Sequence, residues 1–390
     1  MRIGVYYSSG VSESEEGWKT RNRGLACYLR ELDRRGCKAL LWAPKLDRGT
    51  TGYLLPPSVQ VVMLPSFERW RQGYLHWWKL RSAFLRTISQ VDWVWVRYPG
   101  PMGWWLAREA RRCGLPVLWD VVGDPVTLVR VSGHYPPLVR QLAAALARGE
   151  ERLVRSTMHG AACRFVNEQL RARYKPHSAH ILVRPSGVLT KEDFYSRSDT
   201  CQEPPFRLLT VGFLRPEKGL SVLLEAVAGW EGPPIVLDIV GDGRQRNTLE
   251  REAQRLGITD KICFHGFVGD ESVLRQFYRQ ADVFVISSLS EGSPRTLVEA
   301  MAASLPVIAT AVGHIPNLID DGVNGLLIES GSSSAIIDAL MKVVSNPQLR
   351  QRILREGYNT ARDHTVAAFI QDVLALVGNN IRQPEVEGKP

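Results

Sequence analysis

The stretch "ADVFVISSLSEGSPRTLVEAMAASLPVIAT", residues 281–310, carries the pattern from which the fold can be read. It opens on "ADVFVISS", a short apolar run rich in β-branched and aromatic residues, which predicts a strand buried on both faces. A polar loop, "LSEG", follows. In "RTLVEAMAAS" the apolar residues recur three and four apart, predicting a helix, and "LPVIAT" returns to strand. Strand, helix and strand in succession make a parallel βαβ unit. Ser293 is expected to cap the helix, with Pro294 at its first position. Free N–H groups near Arg295, Thr296 and Leu297, with the helix dipole, then favour an anion. Two acids, Glu291 and Glu299, stand eight residues apart in the same stretch. Glutamates on a surface helix are usually solvated decoration. Beside an anion site they need a purpose: Glu299, one and a half turns inside, can accept two ligand hydroxyls, and Glu291 lies in the loop, nearer a reacting group.

The alternation extends in both directions. Strands "FRLLTVG", "IVLDIVG" and "KICFHGFV" precede the opening stretch, interleaved with helices "GLSVLLEAVAG", "RNTLEREAQRLG" and "SVLRQFYRQ", and helix "SSAIIDALMKVVS" follows it. Further upstream, "RIGVYY", "CKALLWAP", "VDWVWVRYP", "LPVLWDVV" and "CRFVN" read as strands. Between them lie helices "TRNRGLACYLRELDRRG" and "MGWWLAREARRCG" and the long helical stretch "PPLVRQLAAALARGEERLVRSTMHGA". A chain of 390 residues exceeds one hydrophobic core. Periodicity lapses over residues 185–205, the expected linker. The expected organisation is a domain over 1–187, a second over 188–364, a helix over 365–380 packing back on the first domain, and a disordered tail over 381–390. The expected class is α/β, two Rossmann-like doubly wound domains facing a deep interdomain cleft, with ligands at the carboxyl ends of the strands.

Charge divides the chain unequally. Residues 1–190 carry 29 Lys and Arg against 14 Asp and Glu, whereas the remainder carries 20 against 26. Ten of the eleven tryptophans lie in the basic part. That half is expected to face something anionic. Its segment "SFERWRQGYLHWWKLRSAFLR", residues 66–86, suits an interfacial helix on anionic lipid; the alternative is a helix packed on the sheet with a solvated basic side. "MRIGVYYSSG" reads as a first strand, not a signal peptide, and no run of about 18 apolar residues occurs. Six cysteines without a C-x-x-C pair predict reduced thiols, so the expected location is cytoplasmic, peripheral on the inner face of a membrane.

Other loops carry weaker signals. In "TVGFLRPEKGLSVLLEAV", Gly212 ends a strand, and Arg215 and Lys218 offer a seat for a diphosphate, although basic loop residues are often merely solvated. In "VGDGRQR" the third glycine of a dinucleotide fingerprint is Arg246. Gly241 and Gly243 therefore serve either ligand approach or a tight turn, the turn being favoured. "TAVGHIPNLIDDGVNGLLI" reads as turns with a hairpin-like finish, in which Gly313 is available for close approach of a ligand. No Asp-x-Asp pair, zinc-spaced Cys/His cluster, Walker sequence or G-x-S-x-G elbow is present, so no metal and no bound cofactor is expected. The absence of a recognition module argues against nucleic acid.

Together "VGFLRPEKG", "VGDG", "HGFV", "ADVFVISSLSEGSPRTLVEAMA" and "PVIATAVGHIPNLIDDGVNGLLI" resemble family 4 retaining glycosyltransferases of the GT-B fold. The ordered match covers residues 207–331 and includes the E-x7-E signature as Glu291 and Glu299. "VRPSGVLTKEDF" resembles the family's linker. The resemblance implies a nucleotide-diphosphate sugar donor bound by the second domain, with Lys218 at the diphosphate, Glu299 at the ribose and Glu291 at the donor sugar. It also implies that the base lies against Phe267 and Val268, and that anomeric configuration is retained. Many members carry arginine where this chain has Phe213, a cation that Arg215 is expected to replace, and the usual E-G-F-G is E-G-S-P here. The first domain would take a glycan or lipid-linked acceptor, with Asp124 orienting the acceptor hydroxyl or simply capping the helix at Pro125. The expected function is transfer of a sugar to an acceptor hydroxyl in cell-surface polysaccharide or glycolipid synthesis. A GT-B epimerase or phosphorylase, or a non-catalytic sugar-nucleotide-binding protein, is the alternative.

Overall fold

The computed structural model describes residues 1–46, 52–67, 70–131, 137–176, 178–292 and 294–382. The chain divides into two compact units, Met1–Gly187 together with the segment from Val366 onward, and Val188–Thr365.

The strands of the first unit are β1 (Arg2–Tyr6), β2 (Val11–Ser14), β3 (Gly17–Thr20), β4 (Lys38–Pro44), β5 (Tyr53–Leu54), β6 (Gln60–Leu64), β7 (Trp93–Tyr98), β8 (Val117–Val121), β9 (Ala162–Phe165) and β10 (Ile181–Val183). Seven of them form a parallel sheet in the order β10-β9-β8-β7-β1-β4-β6, and β2, β3 and β5 make a small antiparallel one. The order reverses between β1 and β7, as in a doubly wound sheet. The short strands β2, β3, β5, β6 and β10 were not anticipated, because β2 and β3 lack an apolar run and those of β5, β6 and β10 are only two to four residues long.

Helices cover both faces of this sheet. Helix Arg23–Arg34 starts at Asn22, whose side chain accepts the Leu25 N–H, and packs Tyr28 against Phe369 of helix Val366–Arg382. That last helix runs to Arg382, past the expected start of the tail at 381; residues 383–390 lie outside the described residues. On the other face, helices Trp77–Thr87, Gly103–Arg112 and Pro137–Met158 pack Phe84, Trp105, Val154 and Met158 onto one core.

The tryptophan surplus is largely core. Trp42, Trp93, Trp95 and Trp119 are fully buried, each removing on the order of 200 Å² of mostly apolar surface from water. Asp120 is buried among them, where burial pushes its carboxyl up, but Arg164 at 2.6 Å and Arg97 at 2.8 Å prevail and hold it below the usual carboxylate range.

The expected interfacial helix over 66–86 is divided at His76 into Trp70–Leu75 and Trp77–Thr87, and Leu80, Ala83 and Phe84 are buried against the sheet. The packed alternative thus describes its inner face. Arg69 lies outside the described residues, as do His134 and His177.

In the second unit β11 (Phe206–Val211), β12 (Ile235–Val240), β13 (Ile262–Gly266), β14 (Val283–Ile286), β15 (Val307–Thr310) and β16 (Leu326–Ile328) form one parallel sheet, ordered β13-β12-β11-β14-β15-β16. This is the six-stranded Rossmann order, reversing between β11 and β14. The hairpin-like finish expected in "DDGVNGLLI", residues 320–328, ends instead in a parallel edge strand, since β16 pairs with β15 in the same direction. A helix Pro347–Arg362, started by Asn346 and Pro347, was also unforeseen. Within it Arg350 reaches Asp199 at 2.6 Å, so part of the expected linker is bound to this unit. All six cysteines are free, and no helix of the described residues is long and apolar enough to cross a membrane.

Candidate functional site

Three loops meet where the second sheet reverses its order. The first leaves β11 and contains Lys218, the second leaves β14 and contains Glu291, and the third leaves β15. Two glycines let them touch. Gly219 has φ of +60°, and a Cβ there would lie 2.2 Å from the Ser287 carbonyl oxygen. Gly313 has φ of +58°, and a Cβ there would lie 1.8 Å from the Glu291 carbonyl oxygen. The close approach expected at Gly313 therefore exists, but its partner is backbone. Hydrogen bonds close the junction: Leu289 N–H to the Glu217 carbonyl at 2.8 Å, Ser287 Oγ to the Lys218 carbonyl at 3.0 Å, and His314 N–H to the Gly292 carbonyl at 3.0 Å. Burial pushes the His314 imidazole below its ordinary range, which keeps it neutral at physiological pH.

This junction brings Lys218 Nζ to 2.5 Å from Glu291 Oε1, to which Ser288 Oγ also donates at 2.8 Å. The pair lines a shallow concavity, open to solvent, whose walls also include Gly212, Phe213, Ser287, Ser288 and Thr296. Its position at the carboxyl ends of β11 and β14 is where doubly wound sheets bind ligands. A charge-assisted pair held on three backbone-locked loops is preorganised, and each member can be drawn to a ligand group of opposite sign.

Of the residues singled out from sequence, Gly212, Lys218, Glu291 and Thr296 share this concavity. Arg215 does not line it. Its side chain is 55% exposed, lies over the Phe213 ring at 5.0 Å and comes within 3.8 Å of Glu217. Gly241, with φ of +138°, serves the turn: a Cβ there would meet the Gly212 carbonyl oxygen at 1.9 Å, and one at Gly243 the Leu214 oxygen at 2.4 Å. Phe267 and Val268 follow β13, the ring of Phe267 exposed and Val268 packed against the core.

Helix Arg295–Ala302 begins one residue later than expected, with Pro294 in extended conformation at the cap; Ser293 lies outside the described residues. The Leu297 N–H bonds to the Pro294 carbonyl at 3.3 Å, so it is not among the free donors, and its side chain is core. Proline cannot supply a side-chain oxygen to the helix start, which shifts the cap without changing the helix direction. Glu299 is buried and accepts the Tyr278 hydroxyl at 3.0 Å.

Asp124 belongs to the first unit. It accepts the Val126 N–H at 2.9 Å, the Thr127 hydroxyl at 2.5 Å and the Arg173 guanidinium at 3.1 Å, which is the capping arrangement plus an ion pair.

Sequence reasoning missed Ser288 and Tyr278, and it marked Gly219 only as part of the Lys218 loop. The first had a signal in its S-x-x-E spacing to Glu291. Tyr278 had none, because it reaches Glu299 from a separate helix, Glu271–Gln280. Among the described residues Asp238, Cys263 and His265 lie close enough to hold a metal ion, but Arg207 forks onto the same carboxylate at 2.8 and 3.1 Å and competes for it.

Comparison with known proteins adds the following. The family model for glycosyl transferases group 1 matches residues 192–360. The D-inositol 3-phosphate glycosyltransferase of Actinosynnema mirum is 31% identical over 77% of this chain and 75% of its own length. The lipopolysaccharide core biosynthesis glycosyltransferase LpsE of Rhizobium meliloti is 30% identical over 45% of this chain, which there spans about half of the relative, 52%. Among solved structures, Anabaena HepE in complex with UDP superposes with a TM-score of 0.67 over 97% of this chain and 100% of that one, at 16% identity, a likeness of fold.

Proposed function

The chain belongs to the group 1 glycosyltransferases and has the GT-B type of fold, two Rossmann-like domains, and from that premise we propose that it moves a sugar from a nucleotide-diphosphate donor to an acceptor hydroxyl, with retention, in polysaccharide or glycolipid synthesis. The observation that carries this reading is the Lys218–Glu291 pair lining the concavity at the switch point of the second sheet.

As the glycosidic bond to phosphate breaks, positive charge gathers on the sugar ring and negative charge on the leaving diphosphate. Lys218 is the cation already in place for that oxygen charge, with the start of helix Arg295–Ala302 behind it. Once Lys218 turns to phosphate, Glu291 is released to bind the sugar's hydroxyls and to face its developing positive charge. Thr296 and Gly212 border the diphosphate, Glu299 takes the ribose, and the base lies along Phe267 and Val268. Arg215, exposed on the same loop, reaches the phosphates by leaving its stack on Phe213. These cationic groups take the part a divalent ion would otherwise play, so transfer should persist in a chelator. The acceptor, a glycan or lipid-linked sugar, belongs to the first unit, with Asp124 among its candidate contacts.

UDP-, GDP- and ADP-sugars screened by thermal shift identify the donor, because a ligand that prefers the native state raises its melting temperature. Glu291→Gln should keep that shift and lose transfer by roughly 10²-fold or more, whereas Lys218→Ala should lose both. Full transfer by Glu291→Gln removes the assigned role. Donor binding by the wild type without transfer to any acceptor favours the non-catalytic binding alternative.

A further inference from the structure

Helix Pro137–Met158 of the first unit shows two faces to its surroundings. Ala143, Ala147, Val154 and Met158 are buried in the unit's core. On the outward side Leu142, 63% exposed, and Leu146, 56% exposed, continue into Val139 and Leu153, which are also exposed. Spacings of three, four and seven residues place all four on one stripe of the helix. Single exposed aliphatics are ordinary; an aligned row of four is not. The Tyr74 hydroxyl bonds to Glu150, which lies between Leu146 and Leu153 along the helix, so the neighbouring helix Trp70–Leu75 ends beside the stripe. Leu75 is 82% exposed there, and Trp78 just beyond it is 70% exposed.

Guanidiniums lie beyond one flank of the stripe, Arg152 about 100° round the helix from Leu153 and Arg148 and Arg155 farther round still. Arg148, Arg152 and Arg155 are exposed along the same helix, whose described exposed positions include no acid. Across a groove lined also by Leu153 and Ser156, helix Gly103–Arg112 presents Arg108, Arg111 and Arg112. Glu150 and Glu151 of the long helix are buried, and Glu151 is paired with Arg155 and Arg173. A leucine row with guanidiniums beyond one flank and across the groove at its Leu153 end, of which Arg112 is paired with Glu109, suits a headgroup layer, where aliphatic side chains reach the acyl boundary and long arginine stems bend to phosphates.

We propose that this face docks on the surface of a bilayer containing anionic phospholipid, with Leu142 and Leu146 entering the headgroup–acyl boundary and the flanking arginines holding lipid phosphates. It deepens the peripheral-membrane expectation by moving its centre from residues 66–86, whose inner face is core, to the long helix, and it does not depend on the transfer chemistry.

The full chain is sedimented with vesicles of phosphatidylcholine alone or mixed with phosphatidylglycerol. Binding to the mixed vesicles should exceed binding to the neutral ones by on the order of tenfold or more and fall with added salt. Leu142→Glu with Leu146→Glu should lower the partition at least about tenfold, and Arg148→Gln with Arg152→Gln by a similar factor. These positions are exposed, so both variants should keep the wild-type melting temperature and its rise with the sugar nucleotide. Equal binding by the leucine variant, or indifference of the wild type to phosphatidylglycerol, overturns the proposal. So does a dimer in sedimentation equilibrium that the leucine variant dissolves while vesicles are ignored, since the occupant is then a second copy. A chain that responds to sugar nucleotide but not to vesicles loses this surface and keeps the transferase reading; the opposite result does the reverse.

Discussion

Replacing Gly313 by alanine moves Glu291 without touching its side chain. The substitution has two separable costs. At φ of +58° an L-residue is disfavoured by about 1 kcal/mol, whatever surrounds it. The new Cβ also lies 1.8 Å from the Glu291 carbonyl oxygen, where real contacts stay beyond 3.0 Å, so the carbonyl must retreat by ~1.2 Å. That carbonyl is rigidly joined to the residue whose carboxylate pairs with Lys218. A misplacement of about 1 Å at a reacting group costs on the order of 10² in rate, or about 2.7 kcal/mol of transition-state stabilisation. Gly257→Ala is the control. Its φ is +67° and nothing lies within 4 Å of its Cβ position, so it bears the backbone cost alone. Gly257→Ala should melt roughly 2–4 °C lower and Gly313→Ala lower still, but only Gly313→Ala should lose transfer, measured as initial rate with the donor selected by thermal shift. Equal transfer rates in the two variants would refute the idea that the loop junction positions Glu291.

Tyr278→Phe removes one hydrogen bond to the buried Glu299 carboxylate and should lower stability by about 1–2 kcal/mol in urea while raising KM for the donor more than it lowers kcat. Burial pushes the Glu150 carboxyl up to about 8 against a partial offset from the Tyr74 hydroxyl. The folded state therefore keeps a proton that the unfolded chain releases near pH 4.5, and stability is lost as pH rises from there to about 8. Glu150→Gln should flatten that decline, melting above the wild type at pH 8 and level with it near pH 4.5; parallel melting curves would contradict the burial argument. Arg350→Met leaves the Asp199 carboxylate without its 2.6 Å partner and should destabilise the second unit by about 3–5 kcal/mol, read from denaturant unfolding. A loss below about 1 kcal/mol would mean that the pair is effectively solvated.

Much of the donor-side architecture was legible in residues 281–310. "ADVFVI" and "PVIAT" are uninterrupted apolar runs because each strand is covered on both faces, and "RTLVEAMA" repeats at helical spacing because one side must meet the sheet. Glycines 219 and 313 were visible too, but not what they approach. Gly313 was available for a ligand, and the space beside it, like that beside Gly219, proved to be filled by a carbonyl of another loop. The tryptophan surplus misled in a similar way. Composition showed a basic, aromatic half, and four of its tryptophans turned out to be sealed in the core, while the exposed apolar row sits on a helix whose alanines and leucines looked unremarkable.

What the sequence by itself determined is local: which segments are strands or helices, where a helix tip follows a strand, and that Lys218, Glu291 and Glu299 occupy loops or helix starts at one sheet edge. Those features follow from periodicity and backbone preference, which act over a few residues. Tertiary structure alone decided that Lys218 meets Glu291 across 73 positions of chain, that Arg215 stands aside, and that Tyr278 serves Glu299. Such pairings depend on strand order and on backbone contacts at two glycines, and neither leaves a periodic trace along the chain.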